Sequence, residues 1–132
     1  MIDYSNEIFN AVATDLRSVY KKGIKVVGEY VSSPTAFPTV TIDEIQNIPA
    51  HLDSATQPKY AEVLYRVQIF CNGTGKRAKA REIYGAVAQR LSLLGLVGVS
   101  YTTTPAIYNS EVYCITSTFR GVIDRDGVIY RG

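Results

Sequence analysis

The sequence predicts an α+β fold, two helices packed on one face of a mainly antiparallel β-sheet in the order α-β-β-β-α-β-β-β, and three observations carry that expectation. Apolar residues recur at helical spacing in two segments, one near the N-terminus and one in the middle of the chain. Elsewhere they alternate with a period of two, as half-buried strands require. Clusters of Gly, Pro, Asn, Asp and Ser separate these segments.

The first helix is expected over Ser5–Tyr20, where Ile8, Val12, Leu16 and Val19 follow one another at spacings of four, four and three. Asp3 or Ser5 caps its start, Arg17, Lys21 and Lys22 lie near its negative end, and Gly23 supplies the left-handed closing conformation. Residues 24–31 are β-rich, and a turn-forming stretch containing Ser32, Ser33, Pro34 and Pro38 leads to 39–45. There Val40 and Ile42 alternate with Thr39, Thr41 and Asp43. The pair reads as a hairpin with a wide tip.

Residues 46–59 contain Asn47, Pro49, Asp53, Ser54 and Pro58 and follow neither period, so a long loop is expected there. The clearest strand is 60–71, with Val63, Tyr65, Val67, Ile69 and Cys71 on one face and Glu62, Arg66 and Gln68 on the other. A turn at Asn72, Gly73, Thr74 and Gly75 precedes the second helix, Lys76–Leu94. Ala80, Ile83, Val87, Leu91 and Leu94 form its buried stripe, Lys76, Lys79, Arg81, Glu82 and Gln89 are solvated, and Gly95 closes it. Strands at 96–101, 111–123 and 128–131 follow, with an irregular piece over 102–110 and a turn at Asp124, Arg125, Asp126 and Gly127.

With 132 residues the chain has the size of one domain, and no internal repeat divides it. A composition 46% hydrophobic and 20% charged is that of a globular protein. The net charge of +2, from 14 basic and 12 acidic residues, is too small for a dedicated nucleic-acid binder; the one dense cluster, Lys76, Arg77, Lys79 and Arg81, reads as a solvated helix face. The N-terminal residues carry Asp3 and Glu7 where a secretory signal needs basic residues and an apolar stretch, and no apolar run reaches the ~20 residues that span a bilayer. Cys71 and Cys114 each lie within a strand pattern and are expected to be buried free thiols on neighbouring strands.

Every candidate for chemistry has a local structural explanation. Gly73-Thr74-Gly75-Lys76 sits at a strand-to-helix turn like a phosphate-binding loop, but Phe70 stands where that motif needs its first glycine and Arg77 where it needs Ser or Thr. Thr74 reads instead as a helix cap. The single histidine, His51, excludes multi-histidine metal sites. Asp43 and Glu44 point to opposite faces, while Asp124 and Asp126 flank a tight turn. No catalytic, cofactor-binding or metal-binding residue is therefore assigned. The ten tyrosines are the least ordinary feature, and Tyr60, Tyr101, Tyr108, Tyr113 and Tyr130 fall near edges or loops, where a large ring with one polar handle suits an interface.

The order of elements over the whole chain resembles that of the tail-terminator (minor tail, tail-completion) proteins of long-tailed bacteriophages. The residues that carry the resemblance are a first helix ending Arg17-Ser18-Val19-Tyr20, a hairpin around Pro34 to Pro38, the long strand from Tyr60 to Cys71, the helix from Lys76 to Leu94, and the closing strands through Asp126-Gly127 to Tyr130. The resemblance implies a virion structural protein, assembled in the host cytoplasm, that forms a homo-oligomeric ring of six. The ring would cap the tail tube, stop its polymerisation and present a surface to a head connector or neck protein, without a catalytic residue, a membrane or sequence-specific nucleic acid. It also makes 46–59 and 102–110 contact segments, and residue type singles out Phe37, His51, Leu52, Tyr60 and Tyr108 as contacts. A neck or head-completion protein is the alternative of the same class; a nucleotide-binding module at residues 73–76 is the alternative of another.

Overall fold

The computed structural model describes residues 5–20, 24–28, 37–52, 58–73, 75–106, 109–124 and 129–130, with the backbone alone at 50–52, 58–59, 104–106, 109–111 and 130. Its elements are α1 (Ser5–Tyr20), β1 (Lys25–Val27), β2 (Thr39–Leu52), β3 (Pro58–Asn72), α2 (Lys76–Leu94), β4 (Val97–Ala106), β5 (Asn109–Asp124) and β6 (Ile129–Tyr130). The α-β-β-β-α-β-β-β order and the α+β class are those the sequence predicts.

The strands form one sheet in the order β1-β2-β3-β5-β4, with β6 alongside the end of β5. β2–β3, β3–β5, β5–β4 and β5–β6 are antiparallel. β1 departs from expectation: it pairs with β2 in parallel, Lys25 opposite Thr39 and Val27 opposite Thr41, so the two do not form a hairpin. Parallel neighbours cannot be joined by a tight hairpin turn.

Both helices lie on one face of the sheet. From α1, Ile8, Val12, Ala13 and Leu16 are buried; from α2, Ala80, Ile83, Val87 and Leu91. They pack with Val63, Tyr65, Val67, Ile69 and Cys71 of β3, the alternating set that the period of two selects, and with Ile115, Phe119 and Ile123 of β5. Each fully buried aliphatic side chain contributes about 1.5–3 kcal/mol, which fixes the register of β3, since a slip of one residue would turn this whole set to the other face. Val19 is 65% exposed and does not continue the α1 stripe, which Ala13 widens beside Val12.

The helices run antiparallel. Arg90 pairs with Asp15 at 3.4 Å near one end, while at the other the Tyr20 hydroxyl donates to Glu82 Oε1 at 2.6 Å and Lys79 Nζ lies 4.5 Å from the Tyr20 ring centre. α2 begins at Gly75, whose φ of 76° is left-handed, with no side-chain cap; the capping role expected of Thr74 passes to this glycine, Thr74 itself lying outside the described residues. It ends at Gly95, φ 102°, whose N–H donates to the last-turn carbonyls as predicted.

Two expected loops are largely strand. Residues 46–52 extend β2 and 58–59 begin β3, leaving 53–57 outside the described residues. β4 continues through 102–106 and β5 starts at Asn109. Edge position makes both tolerable: beyond Thr41 no described strand lies outside β2, and none lies outside β4, so Pro49 and Pro105 stand on edge strands, where proline is accepted.

Candidate assembly surfaces

The sheet face away from the helices is polar with small apolar islands. On it Asp43 and Arg66 form a two-bond pair, Nη2–Oδ2 2.8 Å and Nε–Oδ1 3.3 Å, opposite one another across β2 and β3. Phe70, Val112 and Cys114 form a buried cluster, and Phe37 packs against it half-buried. Near the other end of the strands, Ile48, Leu64 and Val122 floor an open cleft of about 390 Å³, bordered by Gln46, Glu62 and Arg120.

The outer strands have their own geometry. In β2 the register shifts between Glu44 and Gln46, a bulge at Ile45, which is 41% exposed. In β4 it shifts between Gly98 and Ser100, a bulge at Val99, 55% exposed. β4 is anchored inward: the buried Ser117 hydroxyl donates to the Ser100 carbonyl at 2.6 Å and lies 3.2 Å from the Tyr84 hydroxyl, while Tyr84 meets Tyr101 edge to face at 4.8 Å. Tyr101 remains 46% exposed.

Of the residues chosen by type, Tyr60 and Phe37 can be placed, and they lie near opposite ends of β3. Tyr60, half-buried, lies opposite Asp124 and Ala50 on the helix-free side of β3, and Phe37 lies near the far end of that strand beside Phe70. His51 and Leu52 are in β2, with their backbones alone described; Tyr108 lies outside the described residues. Tyr113 belongs to the core at 9% exposure, with Arg77 6.0 Å from its ring centre, so it is not the edge residue expected. The bulge residues Ile45 and Val99 carried no signal in the sequence, because an isolated Ile or Val in a β-rich run reads as core.

The two cysteines sit on adjacent strands and on opposite faces: Cys71 faces the helices and Cys114 the Phe70 cluster, and both are free. Burial raises both thiols, Cys71 to about 11. Asp43 and Glu44 do point to opposite faces, toward Arg66 and Tyr65 respectively. Among the described residues no three His, Cys, Asp or Glu side chains group as a metal site, and no helix is long and apolar enough to cross a membrane.

The described surface is an α+β sheet with outer strands that bulge at Ile45 and Val99 and a face with an open, shallow cleft. The chain belongs to the family described as "Tail completion protein gp17", whose model matches residues 7–129, and it is accordingly a structural protein of the phage tail and neck region. It is similar in fold to a chain from the virion of a native gene transfer agent particle, with a TM-score of 0.57 and 16% identity over 88% of each chain. A second solved chain has a TM-score of 0.42 and 14% identity over 89% of this chain and 94% of that one. No curated protein sequence matches it.

Proposed function

We propose that the chain is a tail terminator: copies of it form a ring of six that caps the tail tube, stops its polymerisation and presents a surface to the head connector. The family match over residues 7–129 carries this reading. The similar chain in a gene transfer agent virion supports a place in the particle; in this reading the copies assemble in the host cytoplasm. The whole chain acts as one α+β unit without catalytic groups. In this reading the β2 and β4 termini, with His51, Leu52 and Tyr108, and the helix-free face with Phe37 and Tyr60, meet the tube and the neighbouring copies.

Purified chain added to growing tail tubes tests the proposal by electron microscopy. The expected outcome is density at the tube tip and tubes that stop elongating. Binding to head connectors with none at the tube tip replaces the terminator with a neck or head-completion protein. A rise in melting temperature with ATP or GTP, absent with chloride at equal ionic strength, supports instead a nucleotide module at residues 73–76.

A further inference from the structure

Strand direction decides how copies of this sheet can join. β2–β3, β3–β5 and β5–β4 are all antiparallel, so direction alternates across β2-β3-β5-β4 and the two outer strands are opposed. Rotation about an axis along the strands leaves every direction unchanged. In a ring built by such a rotation, the β4 of one copy would meet the β2 of the next antiparallel, and the alternation would continue through each boundary. A sheet with an odd number of such strands would force a parallel joint every time.

The two edges suit each other in other respects. A long edge with no partner is usually guarded by charge, often lysine. β4, VGVSYTTTPA, has no charged residue, and β2 from Thr41 onward, TIDEIQNIPAHL, carries acids but neither lysine nor arginine. No like charges oppose the pairing. Each edge instead bears an exposed apolar residue at its bulge, Ile45 in β2 and Val99 in β4. Through β3, residues 42–48 of β2 lie level with 117–122 of β5, whereas β4 lies level with 113–120, so the joint carries a stagger. Tilted strands of a closed barrel need one.

We infer that neighbouring copies join by antiparallel pairing of β4 in one copy with residues 42–48 of β2 in the next, a head-to-tail contact whose occupant is a second copy of this chain. The inference rests on the ring reading above and names its joint. Such a contact uses two different surfaces, so it propagates until rotation closes it, whereas a two-fold contact between two β4 strands would stop at a dimer.

Two variants test it, Ile45→Lys on the β2 edge and Val99→Lys on the β4 edge, both at exposed positions and both checked for an unchanged melting temperature. Sedimentation is measured from micromolar to millimolar chain, alone and with isolated tails. The wild type associates, each variant alone stays monomeric, and the equimolar mixture gives a dimer and nothing larger, because one intact edge of each kind remains. Association of Ile45→Lys alone, through β4 with β4, overturns the inference. So does wild-type-like association of both variants, or a wild type monomeric under every condition. Copies that join in this way but never bind a tube tip sink the terminator reading and leave the joint standing.

Discussion

Tyr65 donates its hydroxyl to Glu44 Oε2 at 2.6 Å, directly across the β2–β3 ladder and one residue before the bulge at Ile45. The other carboxylate oxygen accepts from Asn47 Nδ2 at 3.0 Å, one residue after Gln46, where pairing resumes. One carboxylate thus bridges the bulge and ties it to a tyrosine that is 1% exposed. A hydrogen bond to a charged group contributes about 1.5–3 kcal/mol, less when the acid is half-exposed as here. Tyr65→Phe should cost about 1–2 kcal/mol in urea unfolding, and Glu44→Gln should cost less, since its amide oxygen still accepts. The double variant should show coupling of at least ~0.5 kcal/mol; additive losses would mean that the carboxylate does not bridge the bulge through Tyr65.

This bulge also explains where the sequence could be read and where it could not. Along β3 the period of two is unbroken from Val63 to Cys71 because one face is wholly core, and both helices are marked by stripes and closing glycines. In β2 the inward positions are Val40, Ile42 and Glu44 before the shift and Asn47 and Pro49 after it, so the alternation reverses at Ile45 and the second half looks structureless. Polar residues and prolines are tolerated there because the strand is an edge. The parallel pairing of β1 depends on a long-range placement that neither Val26 nor Val40 encodes locally. Contact residues were harder still: tyrosine is equally at home in the core, as Tyr65 and Tyr113 demonstrate, and at an edge, as Tyr101 does.

Thr41 faces Gln68 on the helix-free side; its Oγ1 is buried without a hydrogen-bond partner, as is Gln68 Oε1. A buried polar atom left unpaired costs about 1–3 kcal/mol. Thr41→Val keeps the branched shape and removes the hydroxyl, so it should stabilise the chain by roughly 1 kcal/mol. A lowered denaturation midpoint would show that the hydroxyl has a partner after all.

Gly121 and Gly85 should respond oppositely to alanine. A Cβ on Gly121 would stand 2.6 Å from Leu96 Cδ2 and 3.3 Å from Ile129 Cγ2, and Leu96, 2% exposed, has no room to move. Overpacking of this kind costs about 1–3 kcal/mol. Gly85 lies on the exposed side of α2 with nothing near its Cβ position, so Gly85→Ala should gain about 0.5–1 kcal/mol from helix propensity. Parallel unfolding curves of the two variants check both signs.

The thiols should be silent in the native protein. With Cys71 pushed from 9.0 to about 11 by burial, its thiolate fraction near neutral pH falls about a hundredfold, and Cys114 is raised by the same cause, against which its contact with Thr116 works. A chromogenic disulfide reagent should find no fast thiol in the folded chain and both in denaturant. Since the side chains lie on opposite faces of the sheet, reductant should leave the melting temperature unchanged; a drop would mean that the cysteines are bonded.

Tyr20 makes stability depend on alkaline pH. Its phenol is raised from 10.0 to about 12, first by burial between the helices and then by the bond it donates to Glu82, which ionisation would replace with two facing negative charges. Between about pH 10 and 12 the folded chain holds this proton while the unfolded chain has released it, so stability falls as pH rises. The contribution is complete below pH 10 and lost on passing through about 12. Tyr20→Phe should flatten that part of the stability profile, and Glu82→Gln should move the phenolate absorbance transition back toward 10. An unshifted transition in Glu82→Gln would assign the whole displacement to burial, and an unchanged stability profile in Tyr20→Phe would remove Tyr20 from the alkaline weakening altogether.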